Sequence, residues 1–359
     1  MQDLTPKQKQ VFEYIKNFYR QNGYSPSLKE LAKQFQKSTT TIHQYLTYLQ
    51  KKGFLSSAAK GTARGFVPVK TIADDPFSLN FRIGIIGYGI VGQAVAYGFS
   101  RHEIHIYDKF KPSEPLDAVV ANSDYIFICL PTPFKKDKQE IDLSIINQSL
   151  KEITPLTDRT DKIIVIKSSV IPGTTNNYIK TYPGTLFCFN PEFLTERAFL
   201  QDFIKTDRII IGSLNDLVTR KVSAIYQSIM PNTPIFQTDP TTAEMVKYMA
   251  NTFLTTKVIF ANEMYDICQK IGIRYEEVKQ MVTADHRIEN SHLEITTLRG
   301  FGGKCFPKDL VALLGFSQKI GVDVSLLKEV WRKNLKIRLV HDWEEIPFVV
   351  SDPSFGNKS

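Results

Sequence analysis

The spacing of apolar residues changes period along this chain, and each change marks off an element. Val11, Ile15 and Phe18 recur at helical spacing up to about Arg20, behind Thr5-Pro6, an N-cap with proline at the first helical position. Asn22-Gly23 ends that helix. Ser27 caps a second, short helix carrying Leu28, Leu31 and Ala32. Ser38 caps a third, in which Ile42, Tyr45, Leu46 and Leu49 face inward until Gly53. Phe54-Leu55 and Gly65-Phe66-Val67-Pro68-Val69 then flank a Ser/Ala/Gly/Thr turn as two strands. Thr71 to Asn80, with Asp74-Asp75-Pro76, reads as a linker.

From residue 81 the pattern is that of buried strands alternating with helices. Arg82-Ile83-Gly84-Ile85-Ile86 leads into Gly87-Tyr88-Gly89-Ile90-Val91-Gly92 and a helix from Ala94 to Phe99. A second strand, Ile104 to Tyr107, ends in Asp108, 21 residues beyond Gly87. Strand before, helix after and a carboxylate at that distance are the context of a dinucleotide site. Gly87, Gly89, Ile90, Val91 and Gly92 would receive the pyrophosphate at the helix N-terminus, and Asp108 the adenosine ribose hydroxyls. A carboxylate there repels a 2′-phosphate, so NAD is expected rather than NADP. Further buried strands are expected at Tyr125–Leu130, Lys162–Lys167, Leu186–Phe189 and Arg208–Gly212. The polar stretches after three of them are Pro131-Thr132-Pro133, Ser168 to Gly173 and Asn190 to Glu196. They fall where ligands collect in such sheets.

Helical spacing then runs unbroken from Thr241 to Ile271 and stops at Gly272. Lys247 and Asn251 share one face of this helix, a pairing that suits an oxyanion clamp, and so long a helix often doubles as a dimer interface. Beyond Asp285-His286-Arg287-Ile288 comes Gly300-Phe301-Gly302-Gly303-Lys304-Cys305-Phe306-Pro307-Lys308-Asp309. Pro307 suits a first helical position, and Leu310, Val311, Leu313, Leu314 and Phe316 continue at helical spacing. Cys305 is therefore expected just before a helix N-terminus, where the dipole and Lys304 or Lys308 favour a thiolate. The glycines would let backbone approach a ligand closely.

Charge separates the regions. Residues 1–70 carry twelve Lys and Arg against three Asp and Glu, whereas residues 71–359 carry 33 against 34. The basic excess thus belongs to the N-terminal module, whose three helices and hairpin predict a winged helix-turn-helix that binds double-stranded DNA. The four cysteines form no CxxC pair, which argues against a disulfide scaffold or a metal site and for a reducing cytoplasm. No apolar run has the length of a membrane span, and Met1-Gln2-Asp3 does not read as a signal peptide. The expected fold class is multi-domain. An α+β winged helix-turn-helix covers 1–70 and a linker 71–80. An α/β Rossmann-like NAD-binding domain follows over 81–238, then an all-α central domain over 239–338 with a long dimerisation helix. A tail rich in acidic and aromatic residues runs over 339–359.

Two resemblances go further. LTPKQKQVFEYI, GYSPSLKELAKQF, the Ser38-to-Gly53 helix and KGTARGFVPV resemble the DNA-binding domain of LexA-type repressors. By position, Ser38, Thr40, Thr41, His43 and Gln44 match the base-reading face of that family's recognition helix, with identities that imply a different operator. Lys37, Lys51, Lys52 and Arg64 are natural phosphate contacts. GIIGYGIVG, CLPTP, IKSSVIPGT, FNPEFLTE, DRIIIG, EMVKYMANTF, FANE, DHRI and GFGGKCFPKD occur in an order that resembles the UDP-glucose/GDP-mannose dehydrogenase family.

The second resemblance implies oxidation of a nucleotide sugar, UDP-glucose or similar, from its C6 alcohol to the carboxylate, with two NAD reduced. Carried over by position, Cys305 attacks the bound aldehyde, and Lys247 and Asn251 stabilise the oxyanion. Asp309 and Ser169 order the catalytic water, and Glu196 is the base of thioester hydrolysis. Thr132, Ser169 and Glu192 lie near the cofactor's reactive end. Glu192, Phe193, Leu194, Lys247, Asn251, Arg287, Gly302 and Gly303 line the substrate. Arg197 stands where that family has a small residue, Thr297-Leu298 where Pro-Gly is common, and the family's third, nucleotide-holding domain has no counterpart. Three readings follow, the first two being a homodimeric dehydrogenase with a DNA-binding head and a DNA-binding regulator whose shortened dehydrogenase part senses NAD or a nucleotide sugar. A fusion with a decayed enzyme is the third.

Overall fold

A computed structural model of the chain describes residues 5–22, 24–57, 66–68, 80–135 and 139–351. Arg64, the turn between the first two strands and most of the expected linker lie outside the described residues. The elements run α1 (Pro6–Asn22), α2 (Leu28–Phe35), α3 (Thr39–Lys51), β1 (Leu55–Ser57), β2 (Phe66–Pro68), β3 (Arg82–Ile86), α4 (Ile90–Gly98), β4 (Glu103–Tyr107), α5 (Leu116–Ala121) and β5 (Tyr125–Ile128). There follow β6 (Phe134–Lys135), β7 (Glu140–Ile141), α6 (Ser144–Thr157), β8 (Ile163–Ile166), α7 (Thr174–Thr181), β9 (Leu186–Phe189), α8 (Phe199–Ile204), β10 (Ile209–Gly212), α9 (Asp216–Ile229) and β11 (Ile235–Thr238). The last elements are α10 (Pro240–Ile271), α11 (Tyr275–Val282), α12 (Phe306–Lys319), α13 (Ser325–Ile337) and a 3-10 turn at Asp342–Glu344. None of the described helices is long and apolar enough to cross a membrane.

The chain divides into two compact units. The first holds residues 1–129, 153–167 and 175–243. Its N-terminal part is the expected set of three helices and a hairpin. The Thr5 hydroxyl accepts the Gln8 N–H, and Ser27 and Glu30 form a reciprocal capping box at α2. Ser38 accepts the Thr41 N–H at the start of α3. Val11, Phe12, Ile15, Leu31, Ile42, Leu46, Leu49, Phe54 and Leu55 form the small core that these helical faces predict. β1 and β2 pair antiparallel, Ser56 opposite Val67.

The rest of this unit is a seven-stranded sheet in the order β11-β10-β9-β8-β5-β3-β4. β4, β3, β5, β8 and β9 run parallel; β10 is antiparallel to β9, and β11 is parallel to β10. β5 and β8 are buried along their whole length and β3 from its second residue on, which is why they read as unbroken apolar runs rather than alternating ones. Phe99, Phe127, Phe203 and Tyr226 pack together in the core of the sheet, each such side chain contributing about 1.5–3 kcal/mol by leaving water. The reversal at β10 brings the start of that strand to the carboxyl end of β9, so Arg208 stands beside the Asn190-to-Glu196 loop.

The second unit holds residues 130–152, 168–174 and 244–359. Two of its segments, 130–152 and 168–174, are inserted in sequence between elements of the sheet. β6 and β7 form a short hairpin, Phe134 opposite Ile141. Phe134, Ile141, Tyr248, Val311, Ala312, Leu313, Trp343 and Val349 make its main core. α10 has 32 residues and ends at Gly272, whose positive φ of 75° provides the left-handed stop. Met249, Phe253, Phe260, Ile267 and Ile271 stay exposed along it, the first two 68% and 63% accessible.

Candidate functional site

In the first unit, the Gly87-to-Gly92 turn joins β3 to α4. Gly87 has φ +94° and its N–H donates to the Tyr107 carbonyl. Gly92 is buried, and a side chain on it would overlap the Gly87 carbonyl oxygen, so the third glycine sets how closely α4 approaches the turn. Gly89 is different. It is the N-cap of α4, and a Cβ there would meet no protein atom within 4 Å. Open space in front of the first N–H groups of a helix, those of Ile90 and Val91 among them, fits a pyrophosphate. Asp108 follows β4 as expected. Its carboxylate accepts the Tyr88 N–H at 2.7 Å and the Phe110 N–H at 2.9 Å, so it also pins the glycine turn.

The Asn190-to-Glu196 loop rests on a buried polar network for which the sequence gives no sign. Lys167 Nζ donates to Asn190 Oδ1 at 2.9 Å and lies 5.8 Å from the centre of the Phe203 ring. Asn190 Oδ1 also accepts the Tyr226 hydroxyl, and Asn190 Nδ2 donates to the Ile210 carbonyl at 2.7 Å. Around this network is a cavity of about 30 Å³, lined in part by Glu192, Phe193, Leu194 and Arg208, with room for a water. Glu192 is buried and its carboxylate accepts the Leu194 N–H at 2.8 Å; Arg208 stacks over the Phe193 ring at 4.3 Å. Glu196 is exposed. Burial pushes the thiols of Cys129 and Cys188 up to about 12, against the lowering influence of Lys167, which disfavours the thiolate in both.

In the second unit, Cys305 is the N-cap of α12, with Phe306 rather than Pro307 as the first helical residue. Its carbonyl accepts the Asp309 N–H at 2.9 Å, the bond that starts the helix. Of the four free cysteines it alone is partly exposed. Asp309 is fully buried and accepts from Asn251 Nδ2 at 2.6 Å and from Lys308 Nζ at 2.5 Å. Lys308, expected to favour the thiolate, is thus committed to Asp309. Lys247 is buried on the same face of α10, one turn before Asn251. An amide has two N–H donors, and Asp309 takes one from Asn251, so the side chain has a second to offer a ligand.

Thr132 is buried on the loop after β5 and Ser169 half-buried on the loop after β8. The Ser169 loop is tied to α10 by Glu244, a buried carboxylate that accepts the Gly173 N–H at 2.6 Å. Glu244 opens the stretch EMVKYMANTF, but nothing in the spacing reveals its partner. Arg287 is exposed and forms a two-pronged pair with Asp285. Gly303 has φ +77°, but the room beside Gly300 and Gly302 is taken by the chain's own Asn334, Arg338 and Asp342 rather than left for a ligand.

On α3 and the residues before it, Lys37, Ser38, Thr40, His43 and Gln44 are exposed and Thr41 is half-buried; Lys51 and Lys52 are exposed at the far end. The Ser38 and Thr41 hydroxyls bond to each other at 2.9 Å as part of the cap. Among the described residues no group of His, Cys, Asp and Glu side chains could hold a metal ion.

Residues 107–230 match the NAD binding domain of the UDP-glucose/GDP-mannose dehydrogenase family and residues 241–336 its central domain; residues 1–65 match the LexA DNA binding domain. Over 218 residues the chain is 38% identical to the UDP-glucose 6-dehydrogenase of Rickettsia prowazekii, covering 59% of this chain and 49% of that protein. It is 35% identical over 222 residues to a UDP-glucose 6-dehydrogenase of Bacillus subtilis, covering 60% of this chain and 49% of that one. The chain therefore spans about half the length of these relatives. A UDP-glucose dehydrogenase structure from Pyrobaculum islandicum superposes with a TM-score of 0.66 at 28% identity, covering 73% of this chain and 69% of that one. The GDP-mannose dehydrogenase from Pseudomonas aeruginosa gives 0.53 at 28% identity, covering 72% and 69%. The shared fold is a Rossmann-like α/β dehydrogenase with a helical central domain.

Proposed function

We propose that this chain is an NAD-dependent nucleotide-sugar 6-dehydrogenase of the UDP-glucose/GDP-mannose type, carrying a DNA-binding head. The observation that carries the reading is the Cys305 helix cap, with Asp309 one turn on and held in the interior by Asn251 and Lys308. The Gly87-to-Gly92 turn and Asp108 fit NAD, which supplies a hydride acceptor. The domain division 1–70, 71–80, 81–238, 239–338 and 339–359 belongs to the same reading.

The roles follow from the chemistry of the side chains. The Cys305 sulfur adds to the C6 aldehyde carbon, and the carbonyl oxygen becomes an oxyanion that Lys247 and the second Asn251 N–H stabilise. Loss of hydride from that carbon, for which NAD held at the Gly87-to-Gly92 turn would be the acceptor, leaves a thioester. Water, ordered by Asp309 and Ser169 and deprotonated with the help of Glu196, cleaves the C–S bond and releases the carboxylate and the thiol. Glu192, Phe193, Leu194, Arg287 and Gly303 are assigned to substrate, and Thr132, Ser169 and Glu192 to the reactive end of NAD; Gly302, packed against Arg338 and Asp342, is left out of the substrate set.

The exposed face of α3 and the basic excess of residues 1–70 support double-stranded DNA as a partner. The exposed apolar stripe of α10 supports a homodimer. The test is NADH production by the purified protein with NAD and, separately, UDP-glucose, GDP-mannose and UDP-N-acetyl sugars, beside a Cys305→Ala control. Two NADH per sugar, lost in the control, is the expected result. Silence with every sugar, alongside NAD binding, favours instead a DNA-binding regulator that senses the ligand.

A further inference from the structure

The match to the central domain ends at residue 336, yet the segment after it is built into the second unit. Arg338, its side chain 8% exposed, donates to the Arg299 carbonyl and to Asp342 Oδ1, both at 2.9 Å. Asp342 Oδ2 accepts the Gly303 N–H at 3.0 Å, two residues before Cys305. The Leu339 N–H donates to the Leu298 carbonyl at 3.1 Å. A side chain on Gly302 would overlap both Asp342 Oδ1 and the Arg338 guanidinium, so the glycine and the ion pair are fitted to each other.

The same segment is anchored at its other end. Trp343, 1% exposed, packs in the core with Phe134, Tyr248 and Leu313, and its ring stacks on His341 at 4.7 Å. The Phe134 N–H donates to the Val349 carbonyl, and the Ser351 N–H to the Phe134 carbonyl, both at 2.9 Å. Residues 338–351 thus run as a strap from the glycine loop to the β6–β7 hairpin.

We propose that this strap holds the Cys305 loop in its reactive geometry and that Asp342 is the positioning residue. Gly303 has a left-handed φ of 77°, a conformation glycine leaves as readily as it adopts, so its direction into Lys304 and Cys305 is set by what grips its N–H. The grip is a charge-assisted bond from a carboxylate that Arg338 itself orients. The inference rests on Cys305 being the reactive thiol, and it is tested without sugar or cofactor.

The test compares Asp342→Ala and Asp342→Asn with the unaltered full chain. Hydrogen exchange is followed over residues 300–305, and iodoacetamide alkylation of Cys305 is followed against pH by peptide mass. Other ionisable groups near the loop include Arg299, whose guanidinium is paired with Asp266, Lys304, Lys308, Asp309, Arg338 and His292, whose ring lies 5.6 Å from that of Phe306; none is altered. Asp342→Ala should raise exchange at Gly303 at least tenfold and displace the pH–rate profile of alkylation, with the far-UV spectrum intact. Asp342→Asn, which still offers an acceptor to Gly303, should restore most of both. Superimposable alkylation profiles in folded Asp342→Ala and the unaltered chain would overturn the proposal, whether or not the melting temperature falls. An unaltered chain that turns over no sugar would sink the dehydrogenase reading and leave this result standing.

Discussion

Gly89 and Gly92 make different demands, and alanine at each separates ligand binding from packing. At Gly92 the new methyl overlaps the Gly87 carbonyl oxygen and stands 3.1 Å from its carbon and 3.2 Å from Ile85 Cγ2. Backbone must give way, and overpacking of this kind costs about 1–3 kcal/mol, a fall in Tm of roughly 3–10 °C. At Gly89 the backbone (φ −77°, ψ −161°) suits any residue, and the methyl meets nothing within 4 Å. Its cost is that of a poorer N-cap, about 1 kcal/mol at most. That methyl projects into the space where the pyrophosphate would approach the first turn of α4, so NAD should bind at least about tenfold more weakly, or about 1.4 kcal/mol. Calorimetric NAD titration and thermal melts on both variants decide the matter. Gly89→Ala with unchanged NAD affinity refutes the placement of the pyrophosphate; Gly92→Ala with unchanged Tm refutes the packing argument.

The other expectations can be checked in the same way. Cys305→Ser should abolish acid formation while NAD and DNA binding persist; loss of NAD binding would show that the roles are misassigned. Asp309→Ala strands the Lys308 ammonium, 8% exposed, without its counter-ion, and breaking a buried pair costs about 3–5 kcal/mol, read as a lowered urea midpoint. His105 lies between Glu114 and Glu103; burial lowers its pKa, but the hydrogen bonds to the two carboxylates outweigh this and raise it overall. A raised folded value means stabilisation that is present below the unfolded value of about 6.5 and lost as pH rises through the folded one. The stability difference between the unaltered chain and His105→Gln should therefore be larger at about pH 6 than at about pH 8, and a difference that grew with pH would contradict the sign. Lys51→Ala with Lys52→Ala should weaken DNA binding uniformly across sequences and reduce the salt slope by about one for each lysine, measured by anisotropy over a salt series.

Much of the fold is legible in the sequence because its elements are local. β3, β5 and β8 are buried strands and so appear as apolar runs; Ser27 and Ser38 cap the helices they precede; Gly272 ends α10 where the helical spacing stops. The strand β11 escapes a reading by pattern because it lies at the sheet edge, with Phe236 and Gln237 exposed, and carries no apolar alternation. Cys305 at a helix start and the Lys247–Asn251 face are readable from spacing alone. What spacing cannot give is pairing across the chain: Asn251 with Asp309, Lys167 with Asn190, Glu244 with Gly173.

The segment after residue 339 shows the limit most plainly. Its acidic and aromatic residues read as a tail, since they carry no periodicity that would place them on a helix or strand. Trp343 is instead among the most deeply buried side chains, and the Asp342 carboxylate is committed to a backbone N–H and a guanidinium. Neither fact follows from the local sequence, because the partners come from distant segments: Gly303 for the carboxylate, Phe134 and Tyr248 for the indole. The glycines of the Cys305 loop carry a clue that admits two explanations, a ligand or the chain itself pressing close. For Gly300 and Gly302 the second holds, and the loop that presents the thiol is shaped from behind by Asn334, Arg338 and Asp342. A substitution at any of these three should therefore reach the chemistry of Cys305 through the backbone, without touching whatever the thiol attacks.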